Sequence, residues 1–300
     1  MNATGQSAFE PAGTHALAID ELSRVLYIGT AATFAVAVAI VAIAVLGRAS
    51  RVSSRAWIVG GGLALPTLVL GVLLVYALRV GEALSMDVDC SVTVRIVAKR
   101  WWWEVRYVQP TGDVVSANEL HLPANRRVKL LLETSDVIHS FWVPSLAGKV
   151  DMIPGRVNHL VVEASRPGVY RGQCAEYCGA QHALMALSVI VHDNADFERW
   201  LEKESRPAIA DEEGARQFAM SGCAQCHTVR GTQAAGRDGP DLTHVASRAT
   251  LAAGTLPMSR GALAGWIADS QGIKPGNLMP PTRTTPQALH ALTEYVESLK

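Results

Sequence analysis

Charge is scarce in this chain and unevenly placed. Only 18% of its 300 residues are Asp, Glu, Lys or Arg, 27 basic and 27 acidic, against 49% hydrophobic. A net charge of zero gives no bulk electrostatic reason for binding nucleic acid or an anionic surface. Charge is missing altogether from Val25 to Gly47 and again from Ala56 to Leu78, two runs of 23 residues. As helices, each run would span about 34 Å against a hydrocarbon core of about 30 Å. A buried helix of that length in a water-soluble protein would not be free of charge, so the spacing predicts two transmembrane helices, at about 25–47 and 56–79. Gly60, Gly61, Gly62 and Pro66 in the second run are tolerated because neighbouring groups can satisfy the freed backbone. Acid is absent from residues 49–78, and Lys and Arg are absent from the first twenty. No basic n-region precedes the first run, which is also too long for the core of a cleaved signal peptide.

The connecting loop carries Arg48, Arg51 and Arg55. By the positive-inside rule it faces the cytoplasm, which leaves both termini and the long C-terminal region outside. Residues 1–24 then form an extracytoplasmic tail and 25–80 a helical hairpin. From 81 to 205, short segments such as SVTVRIVA, WWWEVRYV, RVKLLLETS, NHLVVEA, GVYRGQ and ALSVIVH are separated by Gly- and Pro-rich turns, without a helical period between them. This pattern predicts a β-sandwich or barrel. Residues 194–205 read as a helix capped by Asp193 or Asn194, 206–210 as a linker, and 211–300 as an all-helical domain.

Cysteine is sparse as well, with five residues, an odd number. In an extracytoplasmic region a disulfide framework would be the ordinary reading. Four of the five, however, sit in two short clusters. Cys223-Ala-Gln-Cys226-His227 is the C-x-x-C-H run of covalent haem attachment: two thiols within one turn meet the haem vinyl groups, and the adjacent imidazole meets the iron. The sixth ligand should be Met258 or Met279. Met279, in the PGNLMPP loop, is favoured, since Met258 reads as core packing. The other cluster is CAEYCGAQHALM, residues 174–185. A disulfide leaves His182 and Met185 unexplained, and zinc rarely takes Met. Copper accepts thiolate, imidazole and thioether together, and two thiolates suit a bridged pair of coppers. A second imidazole is needed, and His139 is the candidate.

Residues 211–300 resemble a class I cytochrome c, on CAQCH, on GPDL with Pro240, and on Met279 in NLMPP. The resemblance implies that the Pro240 carbonyl orients His227, that Gly214 and Tyr295 form the contact between first and last helices, and that Arg248 and Trp266 lie near the haem propionates. The set His139, Cys174, Glu176, Cys178, His182 and Met185, with the helix pair, the tryptophan run and the strand pattern, resembles cytochrome c oxidase subunit II. That family implies a cupredoxin-like Greek-key domain with a binuclear CuA centre. Its ligands would be those side chains and the Glu176 carbonyl. It also implies a magnesium ion shared by Glu176 and Asp151 at the interface with subunit I, and electron entry through Trp101. The implied function is the electron-entry subunit of a terminal haem–copper oxidase in the bacterial inner membrane. The chain would pass electrons from cytochrome c, external or fused, through CuA to subunit I, where oxygen is reduced to water with proton translocation. Subunits I and III, a cytochrome c donor and the lipid bilayer are the implied partners, and nucleic acid is not. A membrane-anchored CuA and haem c carrier serving a non-oxidase partner is the alternative. Relatives often carry a glutamate in the second helix; its absence here leaves no proton-entry role to assign. Cys90 and the histidines at 15, 121, 159, 192, 244 and 290 have no ligand context.

Overall fold

The computed structural model describes residues 5–46, 53–85, 90–282 and 284–300. They divide into two compact units, Leu17–Val88 and a second made of Met1–Ala16 with Asp89–Lys300.

The first unit is helical. Helix α1 spans Thr14–Val45, and a second rod is built from α2 (Ser54–Ala56), a π-helical stretch (Trp57–Ala64) and α3 (Leu65–Ser85). Both are long and apolar enough to cross a bilayer. Helix α1 starts eleven residues ahead of the uncharged run, because its first turns are polar and the i,i+4 pair Asp20–Arg24 (2.8 Å) supports them. The π stretch lies just before Pro66, whose missing N–H and bulky ring disfavour α geometry in the preceding turn; there the Leu65 N–H donates to Gly60. Arg48 and Arg51, on which the orientation was read, lie outside the described residues.

The second unit opens with a strap rather than a loose tail. Gly5 bridges to Tyr170, the Ala12 N–H donates to the Ser145 carbonyl (2.7 Å), and the Ser165 N–H donates to Ala12 (2.7 Å). Ten strands follow: β1 (Val92–Lys99), β2 (Trp102–Tyr107), β3 (Val114–Ala117), β4 (Glu119–Pro123), β5 (Arg127–Thr134), β6 (His139–Trp142), β7 (Val150–Met152), β8 (Asn158–Glu163), β9 (Gly168–Cys174) and β10 (Ala186–His192). They form two sheets, ordered β3-β2-β1-β5-β8 and β4-β10-β9-β6-β7, with β1 parallel to β5 and β10 parallel to β4. The alternation read in β1 is the burial alternation, with Val92, Val94, Ile96 and Ala98 inward. They meet Leu120, Leu122, Leu130, Leu132, Val189 and Val191 in one core. Strands β3, β4, β6 and β7 were not anticipated; they are three to five residues long, too short to show a period.

Helix α4 (Asn194–Ser205), with Asp193, the first of the two expected caps, at its N-cap, closes one end of the sandwich. Its Phe197 and Trp200 pack on Tyr107, and the Trp200 ring stacks on His121 at 3.8 Å between centroids. His121 Nδ1 and His192 Nε2 are 2.7 Å apart, so one ring N–H donates to the bare nitrogen of the other. Burial, with His121 beside it, pulls His192 down to about 4. The unfolded chain takes up that proton near the ordinary value of about 6.5. Acidification from there toward pH about 4 therefore favours the unfolded state, and folded stability falls. Thermal unfolding followed against pH should show this decline, and His192→Gln should flatten it; a native-chain profile flat across the range contradicts the assignment.

The C-terminal part has its own core, formed by Phe218, Val229, Leu251, Leu263, Ile267, Leu292, Tyr295 and Val296. Helices α5 (Glu212–Met220), α6 (Arg260–Ala268), the short α7 (Ser270–Ile273) and α8 (Pro286–Ser298) surround it, with a two-residue ribbon of β11 (Thr250–Leu251) and β12 (Leu256–Pro257). Asp211, Ser259 and Thr285 cap α5, α6 and α8 through their side chains, and Pro286 sits in the first turn of α8. A Cβ on Gly214 would lie 2.5 Å from the Tyr295 ring, so glycine is what lets α5 and α8 touch there.

Candidate copper and haem centres

The loop between β9 and β10 presents the first cluster. Pairing of Phe141 with Cys174 places the start of β6, where His139 sits, beside the end of β9. Cys174 Sγ lies 3.7 Å from His139 Nδ1 and 3.1 Å from the Glu176 carbonyl oxygen. Cys178 Sγ lies 3.6 Å from His182 Nδ1 and 3.9 Å from Met185 Sδ. The donor atoms of His139, Cys174 and Cys178 all fall within 4.8 Å of one another. His139, both cysteines and Met185 are buried, and both cysteines are free thiols rather than a disulfide. Hydrogen bonding from Cys178 pulls Cys174 down to about 3, while the neighbouring sulfur pushes Cys178 up. Two sulfurs this close hold one negative charge between them, and a soft cation would let both ionise. The donor set of two thiols, two imidazoles and a thioether fits copper.

Asp136 escaped the sequence reading. Its Oδ1 lies 2.8 Å from His139 Nε2, on the ring nitrogen that faces away from Cys174. A carboxylate there fixes the tautomer and leaves Nδ1 free as a donor. The signal was its place three residues before His139. Glu176 and Asp151 stand on either side of Lys149, whose Nζ is 3.6 Å from Glu176 Oε2 and 3.0 Å from Asp151 Oδ1. The ammonium thus stands between the two carboxylates read as magnesium ligands, and it holds Asp151 below the usual carboxylate range.

Trp101 is only 7% exposed. Its indole N–H donates to the Cys178 carbonyl (2.9 Å), and its ring borders a pocket that belongs mainly to the helical part. That pocket is lined by Cys223, Cys226, His227, Pro240, Arg248, Trp266 and Met279, with Leu242, Leu251, Leu263 and Ile267 supplying apolar walls. His227 Nδ1–H donates to the Pro240 carbonyl (2.8 Å), which leaves Nε2 as the free donor. Burial pulls the imidazole below its ordinary value and keeps it in the neutral, ligating form. A Cβ on Gly239 would lie 2.6 Å from that ring, so glycine is required beside it. Arg248 donates from Nη2 to the Asp241 carbonyl (2.6 Å), whereas its buried Nε has no protein partner. An orphaned guanidinium N–H beside an apolar pocket with two thiols, an imidazole and a thioether fits an anionic haem. Met279 sits in a pinned loop: its N–H donates to Asn277 Oδ1, and its carbonyl accepts from Ser270 Oγ and Gln271 Nε2. Met258 packs against the helical core and is not among the pocket residues.

Two helices apolar enough to cross a bilayer, a two-sheet β domain with a copper-type donor cluster and a helical domain with a C-x-x-C-H pocket define the class of chain that can hold a metal and a haem side by side. The family described as "Cytochrome C oxidase subunit II, periplasmic domain" matches residues 113–192, and the family "Cytochrome c" matches residues 212–300. Cytochrome c oxidase subunit 2 of Bacillus subtilis is 32% identical over 81% of this chain and 73% of that protein. Its counterpart in Alkalihalophilus pseudofirmus is 35% identical over 71% of this chain, and the match spans 62% of that protein's length. The solved periplasmic domain of subunit II of the Bradyrhizobium japonicum cytochrome oxidase is 29% identical, with 40% of this chain and 96% of that chain covered and a TM-score of 0.38. The chain belongs to the cytochrome c oxidase subunit II family, with a cytochrome c domain joined to the C-terminal side of its copper-type domain.

Proposed function

We propose that this chain is the electron-entry subunit of a haem–copper oxidase, taking electrons on its own haem c and passing them through a binuclear copper centre to subunit I. The observation that carries this reading is the convergence of buried His139, Cys174, Cys178 and Met185 with half-buried His182 in the same compact unit as the C-x-x-C-H pocket. Those five side chains and the Glu176 carbonyl would hold two coppers. Cys223 and Cys226 would hold haem covalently, with His227 and Met279 as the residues that would meet its iron. Copper and haem, when bound, supply reversible one-electron chemistry without proton or group transfer.

The chain's own residues set the conditions for that chemistry. Asp136 and Pro240 orient His139 and His227, and burial of the sulfur donors keeps water from the copper cluster. A thioether from Met279 raises the haem potential relative to a second imidazole. Arg248 and Trp266 would flank the haem propionates. Joining donor and acceptor in one chain raises their effective concentration. The strap at residues 5–13 is hydrogen-bonded to the β domain, so the N-terminus and the copper domain lie on one side of any bilayer that the intervening helices cross. We assign that side to the periplasm and the bilayer to the bacterial inner membrane. Subunits I and III and an external cytochrome c are the expected partners. A magnesium ion on Asp151 and Glu176 would require Lys149 to leave them when subunit I docks. Purification of the tagged chain in mild detergent tests the proposal: a haem–copper subunit should come with it. Recovery of the intact chain alone favours a carrier that serves another partner.

A further inference from the structure

Lys274 is an unusual side chain. It is 2% exposed, and among the described residues no carboxylate forms an ion pair with it. Its Nζ donates to three carbonyl oxygens, those of Trp101 (2.8 Å), Leu184 (2.7 Å) and Ala252 (3.0 Å). An ammonium has three donors, and here all three are used. Trp101 and Leu184 belong to the β domain, the second within the copper loop next to Met185, whereas Ala252 and Lys274 belong to the helical domain. Burial pulls the lysine down to about 8, against an opposing pull from Cys178 nearby. A methionine or leucine would fill the space but leave three carbonyl oxygens of two domains without their shared donor, so the ammonium is what ties them together.

The neighbouring contacts act in the same sense. Gln181 of the copper loop donates from Nε2 to the Pro275 carbonyl (2.7 Å). Gly276, at φ +80, lies over Trp101, where a Cβ would meet the indole at an ordinary contact distance of 3.7 Å. The same indole donates to the Cys178 carbonyl, and Met279 follows three residues after Gly276. Segment 274–279 thus runs from the copper loop to the pocket that holds Cys223 and His227. Trp101 lies beneath it, away from solvent.

We propose that Lys274 is a positioning residue that pins the helical domain over Trp101 and the copper loop, so that the haem pocket faces the copper donors across the Trp101 indole. On this geometry Trp101 serves the chain's own haem, and an external donor reaches the copper only through that haem. The inference about electron flow rests on the function proposed above; the pinning itself does not.

Two amides report the junction directly. The Ala186 N–H donates to the Ala253 carbonyl (3.0 Å), and the Ala249 N–H donates to Glu119 Oε1 (2.7 Å). In the full chain, Lys274→Met should speed hydrogen exchange at both by about tenfold or more, while Val94 and Leu292 in the two cores keep their protection. In the loaded chain, transfer of one electron, which oxidises the haem iron by one and reduces the copper pair by one, should slow by about tenfold or more with both optical spectra unchanged. Gln181→Leu, which leaves the charge in place, should produce a smaller change at the same amides and keeps the test available should Lys274→Met not fold. Unchanged exchange at Ala186 and Ala249 in a folded Lys274→Met chain, or in Gln181→Leu if only that variant folds, overturns the proposal. A parent chain that takes up no copper or haem overturns the functional reading instead, and the exchange result still decides the pinning.

Discussion

Cys174→Ser is expected to empty the copper site while leaving the haem in place. Cys174 Sγ is the atom that faces both His139 Nδ1 and the Glu176 carbonyl, so its loss removes one of the two proposed sulfur donors and strands those two groups. A serine hydroxyl is a hard donor that stays protonated at neutral pH, and it cannot replace a thiolate toward a soft metal. The haem pocket belongs to a separate core, with no copper-cluster ligand among its lining residues. Copper analysis of the purified variant should therefore give almost none, with the haem spectrum intact. Retention of the full copper load would sink the binuclear assignment.

Trp103→Ala carries the largest expected loss of stability. The side chain is wholly buried in β2, with its ring edge-on to Phe141 at 6.1 Å and near His139 at 6.4 Å. Removing a fully buried tryptophan costs about 3–5 kcal/mol in transferred surface and residual cavity. Its indole N–H has no partner in the core, and losing that orphan group offsets part of the cost, which places the expectation at about 3 kcal/mol. Domain stabilities are typically about 5–15 kcal/mol, so the variant should unfold at markedly lower denaturant. Copper affinity should fall as well, because His139 loses a packing neighbour. A shift in unfolding free energy below about 1 kcal/mol would contradict this account of the core.

Both predictions rest on contacts of different range, and range decides what a reader of the sequence could see. The donor cluster at 174–185 and the C-x-x-C-H run are local spacings, and they were legible as such. The alternation in β1 is local as well, and the structure uses it as written; the caps Asp211, Ser259 and Thr285 are equally local but were not read. Gly214 against Tyr295 was reached through resemblance rather than period. Strand β4 ends at Pro123, and β6 and β7 have four and three residues, so no period could reveal them. Asp136 lies three residues before His139, but its role depends on which ring nitrogen turns toward Cys174, a tertiary fact. The partners of Lys274 lie 173, 90 and 22 residues away in sequence. Trp101 read as the point of electron entry; that it is buried, with the helical domain more than a hundred residues later packed over it, was not legible.

The central claim is that one chain holds both redox centres, and metal and haem content of the purified full-length chain tests it most directly. The account predicts two coppers and one covalently attached haem per chain, the haem remaining with the polypeptide after denaturation. Zinc in place of copper, a Cys174–Cys178 disulfide that admits no metal, or haem that dissociates on unfolding would contradict it.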